Sequence, residues 1–371
     1  KPLLNNVHVV SHKPLLNNVH VVSHSPRHVW TPQLVQDCIL RSGTQRIFAV
    51  EMRTPIYSNV WERQFRMSSL PTEIQSRVRC LDWSSDHRDD GGPGPMPPRA
   101  KCAIDPRYLV GGKRTMLAAF LSLRSIPKMS SLNVLVLGLG GGVIPMQLLS
   151  LFPNLTVTVV ELEAAVVQLA NRCFGVPVSD ANMRVVVEDA VSFIQKQIQV
   201  AAPAPAQLFD LIINDISNDL INLDSIGGTA NDSLHSISIF SSIVKLLKPE
   251  GLFIMNQIEV LGPADDAGGE SRKMKKRGLR TSGDNDSSTS NEQGVLEAIQ
   301  QNMRDGGFLT TRALLNEKVG RAIMVGSLKA NDSFDHVRVL RSNANELGLS
   351  TEKGEQWRDV DSLEKELRAF V

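Results

Sequence analysis

The chain has 371 residues, enough for one large domain or two, of which 42% are hydrophobic and 21% charged. These proportions are those of a globular protein, and a formal net charge of +1 gives no general attraction to nucleic acid or to anionic membranes. No run of 18 apolar residues predicts a transmembrane helix, and no segment has the pattern of a signal peptide. The four cysteines are scattered without a Cys-x-x-Cys pair, which favours free thiols in a reducing compartment. We therefore expect a cytoplasmic location.

The N-terminus is an exact duplication, because residues 1–12 and 13–24 are identical. Five of the eight histidines fall within residues 1–28, which raises the question of metal binding. The duplication alone creates four of them, no cysteine or acid accompanies them, and a repeat fold needs at least three units. We expect residues 1–28 to be disordered or artefactual, and we expect no metal site.

Residues 29–105 predict a small β-rich region. Residues 46–50 and 78–81 are strand-like pieces with polar connections between them, as in a small antiparallel sheet. Residues 84–100 are rich in Asp, Gly and Pro without periodicity and predict a loop. Two aromatic residues, Trp61 and Tyr108, could line an entrance to a site or simply pack in a core.

Residues 133–161 form the most informative stretch. Residues 134–137 are apolar, as in a strand buried on both faces of a parallel sheet. Three consecutive glycines, residues 140–142, lead into a helix predicted over residues 143–152, and a second apolar strand ends at Glu161. Glycines let a ligand approach the backbone, and the acid, 23 residues after Gly138, can accept hydrogen bonds from ribose hydroxyls. This pattern predicts a site for an adenosine-containing cofactor.

The spacing of the glycines separates two cofactors. The dinucleotide pattern Gly-x-Gly-x-x-Gly is matched by Gly138 and Gly140, but Val143 stands at the third glycine position. S-adenosylmethionine has no pyrophosphate and needs only the close approach and the ribose acid. The pattern therefore favours S-adenosylmethionine, with NAD as the alternative.

Two further predicted strands also end in acids, over residues 184–189 and 209–215. Because the carboxyl ends of parallel strands meet at the ligand-binding edge of an open sheet, we expect Glu161, Asp189 and Asp215 to lie along that edge. The alternative interpretation is that these acids only cap the ends of strands.

The remaining pattern completes an α/β domain that we assign to residues 106–330. Residues 216–233 predict a loop that could gate a substrate, and residues 248–251 predict a turn. Residues 262–294, with a basic cluster at 272–280, predict a disordered insertion that could contact RNA or act as an import signal. Residues 331–371 predict a charged tail with a helix from Ser362. The other predicted helices cover residues 113–123, 164–174, 191–199, 239–247 and 295–303, and the other predicted strands cover residues 252–256, 308–311 and 321–326.

Over roughly residues 46–326, the chain resembles the spermidine-synthase-like class I methyltransferases. The motifs that carry this resemblance are residues 137–142, 160–161, 188–190, 209–215 and 248–256. The resemblance implies a seven-stranded Rossmann-like class I methyltransferase sheet that binds S-adenosylmethionine.

The resemblance also implies roles for single residues. Glycines at positions 138, 140 and 142 would lie against the methionine part of the cofactor, and Glu161 and Leu162 would contact the ribose end. Asp189 and Ala190 would hold the adenine. Asp215 would lie beside the cofactor near the reacting amine, and Asn256 would either orient the substrate or only end its strand.

Within this family, the likeness is greatest to a member whose C-terminal domain methylates the α-amino terminus of translation elongation factor 1-alpha. The resemblance therefore implies a protein amine, N-terminal or lysine, as the substrate, and a homodimer is plausible by the same likeness. We expect no membrane partner and no nucleic-acid partner.

Departures from the spermidine synthases leave alternatives. Those enzymes carry Asp directly after the glycines and Ser-Ser-Asp-Pro after the acid of the fourth strand, whereas this chain has Val143 and, from Asp215, Asp-Ile-Ser-Asn-Asp. Aminopropyl transfer is therefore disfavoured. A third hypothesis is a non-catalytic scaffold with this fold. An NAD-dependent dehydrogenase is disfavoured, because the sequence shows no suitably positioned catalytic His or Lys–Tyr pair.

Overall fold

The structure is a computed structural model in which secondary structure falls into two sheets and seven helices over the described residues. The described residues are 33–39, 46–53, 61–68, 74–80, 104–105, 108, 112–123, 131–178, 180–199, 208–216, 234–259, 287–316, 321–329 and 336–347. The duplicated N-terminus, the loop 217–233, the basic cluster 272–280 and the helix expected from Ser362 lie outside these residues.

The first sheet is antiparallel, with strands in chain order. Its strands are β1 (Gln33–Ile39), β2 (Arg46–Arg53), β3 (Trp61–Met67), β4 (Ser76–Cys80) and β5 (Ile104–Asp105). The predicted β-rich region is thus a five-stranded meander among the described residues.

The second sheet has seven strands in the order β11-β12-β10-β9-β6-β7-β8. Its strands are β6 (Asn133–Leu137), β7 (Thr156–Glu161), β8 (Met183–Val187), β9 (Phe209–Asn214), β10 (Leu247–Glu259), β11 (Thr310–Asn316) and β12 (Arg321–Ser327). Parallel pairing joins β7 to β8 and β9 to β10, whereas β12 runs antiparallel to β10 and β11. The predicted fold class, a seven-stranded α/β sheet with a preceding β-rich region, is confirmed.

Seven helices accompany these strands. They are α1 (Gly112–Leu123), α2 (Val143–Leu151), α3 (Ala164–Phe174), α4 (Ala190–Gln199), α5 (Ile237–Leu246), α6 (Ser287–Asp305) and α7 (His336–Glu346). By contacts, the chain divides into two compact units, the first within residues 1–110 and 135–190 and the second within residues 111–134 and 191–371.

In the first unit, α3 packs against the antiparallel sheet. The guanidinium of Arg63 donates a hydrogen bond of 2.6 Å to the carbonyl of Cys173 in the last turn of α3, where the helix dipole favours a cation. The rings of Phe65 and Phe174 meet edge to face, 6.3 Å apart. Gly175 follows α3 in the left-handed conformation, and α3 covers residues 164–174, as the sequence predicts.

Strand β3 was missed from the sequence because its centre is polar. Four polar residues in it are buried: Glu62, Arg63, Gln64 and Arg66. Buried polar groups are tolerated when they are paired, and here Gln64 donates to Glu62 over 3.0 Å while Tyr108 donates its hydroxyl to the same carboxylate. Tyr108 is therefore a buried partner of β3 in this structure; the side chain of Trp61 lies outside the described residues.

In the second unit, the core is aromatic and aliphatic. Residues 252–255 of β10 are fully buried, and the ring of Phe253 lies within 5.7–6.0 Å of the rings of Phe308 and Phe240. The predicted turn at residues 248–251 lies instead within β10, as an irregularity in its pairing with β9. Lys248 pairs there with Asp210 over 2.7 Å, which holds the irregular segment to β9.

Two helices differ from the expectation. Helix α6 begins at Ser287, so residues 287–294 are helical and not part of a disordered insertion. Its apolar residues Leu296, Ile299 and Met303 are buried at helical spacing, and a helix anchored in this way extends at little cost into polar residues.

Helix α7 was not predicted, because few of its residues are apolar. Leu340, Ala344 and Leu347 lie three or four residues apart and are buried. Asn343 donates a hydrogen bond of 2.7 Å to the carbonyl of Leu121, which attaches α7 to α1. None of the helices described is long and apolar enough to span a bilayer.

His235, just before α5, predicts a loss of stability in acid. Its side chain is 3% exposed, its Nε2 atom has no hydrogen-bond partner among the described residues, and burial lowers its pKa to about 4. Since the unfolded chain protonates this imidazole near pH 6.5 and the folded chain does not, stability is present above pH 6.5 and falls as the pH drops towards 4.

We therefore expect His235→Leu to remove most of this acid-dependent loss. The difference in free energy of unfolding between wild type and variant should change by about 3 kcal/mol between pH 7 and pH 4, since each pKa unit corresponds to about 1.4 kcal/mol. Urea titrations at four pH values measure it. Parallel pH dependences of the two proteins would contradict the assignment.

Candidate functional site

The glycine turn between β6 and α2 has the backbone that only glycine adopts readily. Gly138, Gly140 and Gly142 have φ angles of 91°, 52° and 70°. The N–H of Gly138 donates to the carbonyl of Val160 over 2.8 Å, which joins the start of the turn to β7. Helix α2 begins directly after Gly142, so its first N–H groups follow the turn.

The protein's own packing also requires these glycines. A Cβ atom on Gly142 would lie 2.2 Å from a methyl carbon of Val176, and one on Gly141 would lie 2.8 Å from the Cβ of Ser76. The hydroxyl of Ser76, on β4, accepts a hydrogen bond of 3.1 Å from the N–H of Gly141. The antiparallel sheet of the first unit therefore supports the turn directly.

Glu161, at the end of β7, binds the turn through its carboxylate. One carboxylate oxygen accepts the N–H of Leu139 over 2.9 Å, and the other accepts the N–H of Glu163 over 3.0 Å. Burial raises the pKa of the Glu161 carboxyl, while these N–H groups and that of Gly140 act in the opposite direction. A carboxylate offers about four lone-pair positions, so this one can still accept a ribose hydroxyl.

Apolar and polar side chains surround the ends of β7 and β8. Leu162 is 52% exposed and Val187 is 44% exposed, although both are large and apolar. The N–H of Glu188 donates to the carbonyl of Glu161 over 3.0 Å, so the segment that carries Asp189 and Ala190 is tied to the end of β7. Asp189 is exposed and Ala190, the first residue of α4, is buried.

In the second unit, a lysine, an aspartate and an asparagine form a contiguous cluster. Asp215 follows β9, and one of its carboxylate oxygens accepts a hydrogen bond of 2.9 Å from the Nδ2 atom of Asn256 on β10. The other oxygen contacts the Nζ atom of Lys113 on α1. We call these three residues the amine cluster. Asn214 accepts the N–H of Ile216 over 3.2 Å and so fixes the backbone on either side of Asp215.

The structure brings together some of the predicted residues and adds two. It joins the glycine turn to Glu161 and, separately, Asp215 to Asn256. Sequence reasoning missed Ser76 and Lys113. A signal for Lys113 was available, because a cation in the first turn of a helix is disfavoured by the helix dipole unless a carboxylate compensates it. Nothing comparable marked Ser76.

No three His, Cys, Asp or Glu side chains in the described part of the chain come together as a metal site. The histidines of residues 1–28 lie outside that part, so the expected absence of a metal stays a prediction.

Comparison with known proteins identifies the domain. Residues 119–277 match the family profile of the spermine/spermidine synthase domain. Over these residues the chain is similar to the spermine/spermidine synthase domain, and the resemblance inferred from the motifs is confirmed.

The curated relatives are named as methyltransferases with a stated substrate. A protein from Bos taurus called eEF1A lysine and N-terminal methyltransferase is 30% identical over 161 residues, which are 42% of this chain and 22% of that protein. Its Drosophila melanogaster homolog is 27% identical over 34% of this chain and 18% of its own length. The chain thus spans about a fifth of the curated relatives that it matches.

Solved structures with a similar fold include human methyltransferase-like protein 13 in complex with SAH. It is 19% identical, covers 70% of this chain and 93% of its own, and has a TM-score of 0.46. Spermidine synthase from Thermotoga maritima is 13% identical over 92% of this chain and 95% of its own, with a TM-score of 0.43.

The packing of the turn predicts the cost of adding a methyl group there. Gly142→Ala should lower the free energy of unfolding by about 2–5 kcal/mol, because it combines a left-handed backbone with a clash against Val176. Gly307→Ala is the matched control: Gly307 also has a positive φ, 107°, but its Cβ would lie an ordinary 3.6 Å from Val244.

We expect Gly307→Ala to cost about 1–3 kcal/mol, the backbone contribution alone. Denaturant titrations of both variants, and of Gly142→Ala combined with Val176→Ala, measure the difference. The second substitution should recover part of the loss. If Gly142→Ala costs no more than Gly307→Ala, the turn is not packed against Val176.

Proposed function

We propose that this protein is an S-adenosylmethionine-dependent methyltransferase that acts on an amine of another protein. The observation that carries the proposal is the glycine turn held by the carboxylate of Glu161. The family match and the names of the relatives support it.

The residues present fit this cofactor. The turn offers backbone without side chains, Glu161 offers acceptor positions for a ribose hydroxyl, and Leu162 and Val187 offer exposed apolar surface for a purine ring. Asp189 and Ala190 would hold the adenine edge. When bound, S-adenosylmethionine supplies an electrophilic methyl group on a positively charged sulfur.

The amine cluster serves the other reactant in this proposal. Methyl transfer is an in-line displacement, so the chain's main task is to position the amine. Asp215 and Asn256 provide the acceptors that hold it, and Asp215 is the candidate for receiving its proton.

The chemistry favours an amine that is easily neutral. An α-amine with a pKa of about 7.8 is roughly one-tenth neutral at pH 7, whereas a lysine with a pKa of about 10.4 is below one-thousandth. An N-terminal α-amine is thus the simpler substrate, and a lysine is the second candidate. Translation elongation factor 1-alpha is the candidate protein, because the relatives are named for it.

We also propose a cytoplasmic location, supported by the scattered cysteines, and a homodimer, supported by the family resemblance.

Label transfer tests the proposed activity. The wild-type chain, incubated with methyl-labelled S-adenosylmethionine and a cell lysate, should label a band of the size of elongation factor 1-alpha. Asp215→Asn keeps the shape of the side chain but removes its charge, and it should lower the rate at least about 100-fold, the usual contribution of a positioned acid or base.

Asp305→Asn is the control, because Asp305 is an exposed carboxylate on α6 outside both parts of the site. It should label at the wild-type rate. Equal labelling by Asp215→Asn and wild type would contradict the role of Asp215. No labelling of any protein by the wild type would contradict the proposed activity.

A further inference from the structure

The amine cluster contains its own cation, the ammonium group of Lys113. This charge affects whether the cluster binds a substrate amine in its neutral form or as an ammonium ion. We propose that Lys113 is a specificity-determining residue that neutralises Asp215, so that the incoming amine binds uncharged and donates its hydrogen bond to the Oδ1 atom of Asn256. This inference rests on the proposed function and goes beyond it, since it assigns a role to a residue that the motifs do not include.

Both oxygens of the Asp215 carboxylate are already engaged. One accepts the amide of Asn256 over 2.9 Å, and the other contacts the ammonium of Lys113. The side chains of Asp215 and Lys113 are only 7% and 15% exposed, so water screens the pair weakly. Lys113 therefore cancels most of the negative charge that Asp215 would present to a substrate.

Asn256 carries the acceptor that is left over. Because its Nδ2 atom donates to Asp215, the Oδ1 atom faces away from the carboxylate. That oxygen is buried and has no hydrogen-bond partner in the part of the chain that the structure describes. A buried acceptor without a partner is costly, so an N–H group that reaches it gains a hydrogen bond at no cost to an existing one.

The charge of the acceptor distinguishes the two forms of an amine. A free carboxylate would stabilise an ammonium ion and raise its pKa, whereas a compensated carboxylate beside a neutral amide oxygen does not. A neutral amine that donates one N–H to Asn256 keeps its lone pair for the methyl group. The C–N bond then forms as the S–CH3 bond breaks, the sulfur keeps the electron pair, and the product ammonium releases one proton, which passes through Asp215 to solvent.

Among the described side chains on the elements packed against Lys113, no second anion is placed to pair with Lys113 instead of Asp215. On the elements packed against Lys113, Arg114 is buried on α1, and two arginines on α7 are exposed. On β10, Lys248 pairs with Asp210 and Glu250 pairs with Lys329. None of these groups is a histidine or a cysteine. The charged side chains are Arg114, Asp210, Lys248, Glu250, Lys329, Arg338 and Arg341.

The pH profile of kcat tests the role of Lys113, because its acid limb reports the pKa of the bound amine. The substrate is a peptide with a free α-amine and no lysine. Lys113→Met exposes the amine to an uncompensated carboxylate and should move the acid limb up by about 1–3 pH units, the effect of one nearby opposite charge. Lys113→Arg restores the cation and should return the limb towards its wild-type position.

Lys245→Met is the matched control, since it removes an exposed lysine from α5 in the same unit and should leave the limb unchanged. A limb that stays in place in Lys113→Met, with the wild type active, would overturn the inference and leave the proposed function intact. A wild type that transfers no methyl group to any amine would overturn both.

A second measurement uses the wild type alone, because removing one partner of a buried ion pair can unfold a protein. Two peptides are compared, one with a free α-amine and no lysine, the other acetylated at its N-terminus with one lysine. The ratio of kcat/KM should exceed about 100 at pH 7 and fall more than about fivefold by pH 9, following the neutral fractions of the free amines. A ratio near one at pH 7 would mean that the site binds the ammonium form, against the proposal.

Discussion

The hydrogen bonds accepted by the Glu161 carboxylate are the interactions on which the glycine turn depends. This carboxylate accepts N–H groups from the glycine turn and from the residue that precedes α3, and the carbonyl of Glu161 accepts the N–H of Glu188. One residue therefore joins the end of β7 to the turn and to the segment after β8. Burial disfavours the ionised form of this carboxyl group. Each N–H that donates to it stabilises the ionised form, and a ribose hydroxyl that donates to it would do the same.

The glycines of the turn are required for two physical reasons. Positive φ angles at Gly138, Gly140 and Gly142 are needed to form the turn, whereas the small size of Gly142 is needed because Val176 lies where a Cβ would be. Ser76 then holds the turn from the antiparallel sheet. A glycine in this turn can therefore be required by internal packing, by ligand binding, or by both. Separate measurements of stability and of ligand binding are needed to distinguish these two requirements.

Sequence patterns predicted the parts of the fold in which local signals agree with burial. The apolar runs of β6 and β9 and the end of α3 at Gly175 belong to this class. Strand β3 was missed because its buried polar residues are satisfied by partners that a local pattern does not reveal. Helix α7 was missed because only a few apolar residues on one face hold it.

The site shows the same division. Asp215 and Asn256 could be selected separately as residues that end predicted strands, although β10 continues past Asn256 to Glu259, but the hydrogen bond between them joins positions 41 residues apart. Lys113 was missed because its pairing with Asp215 spans 102 residues and no short motif contains it. The residues that a motif contains were predictable. The position of Lys113 in the first turn of α1 was a signal, but the identity of its partner could not be predicted from the local sequence.

Isothermal titration calorimetry of the wild-type chain tests most directly whether the glycine turn and Glu161 bind S-adenosylmethionine. Three compounds are compared: S-adenosylmethionine, its decarboxylated form and NAD. We predict saturable binding of S-adenosylmethionine at one site, weaker binding of the decarboxylated form, and no binding of NAD. Preference for the decarboxylated form would indicate aminopropyl transfer, and binding of NAD, or of none of the three, would contradict the account.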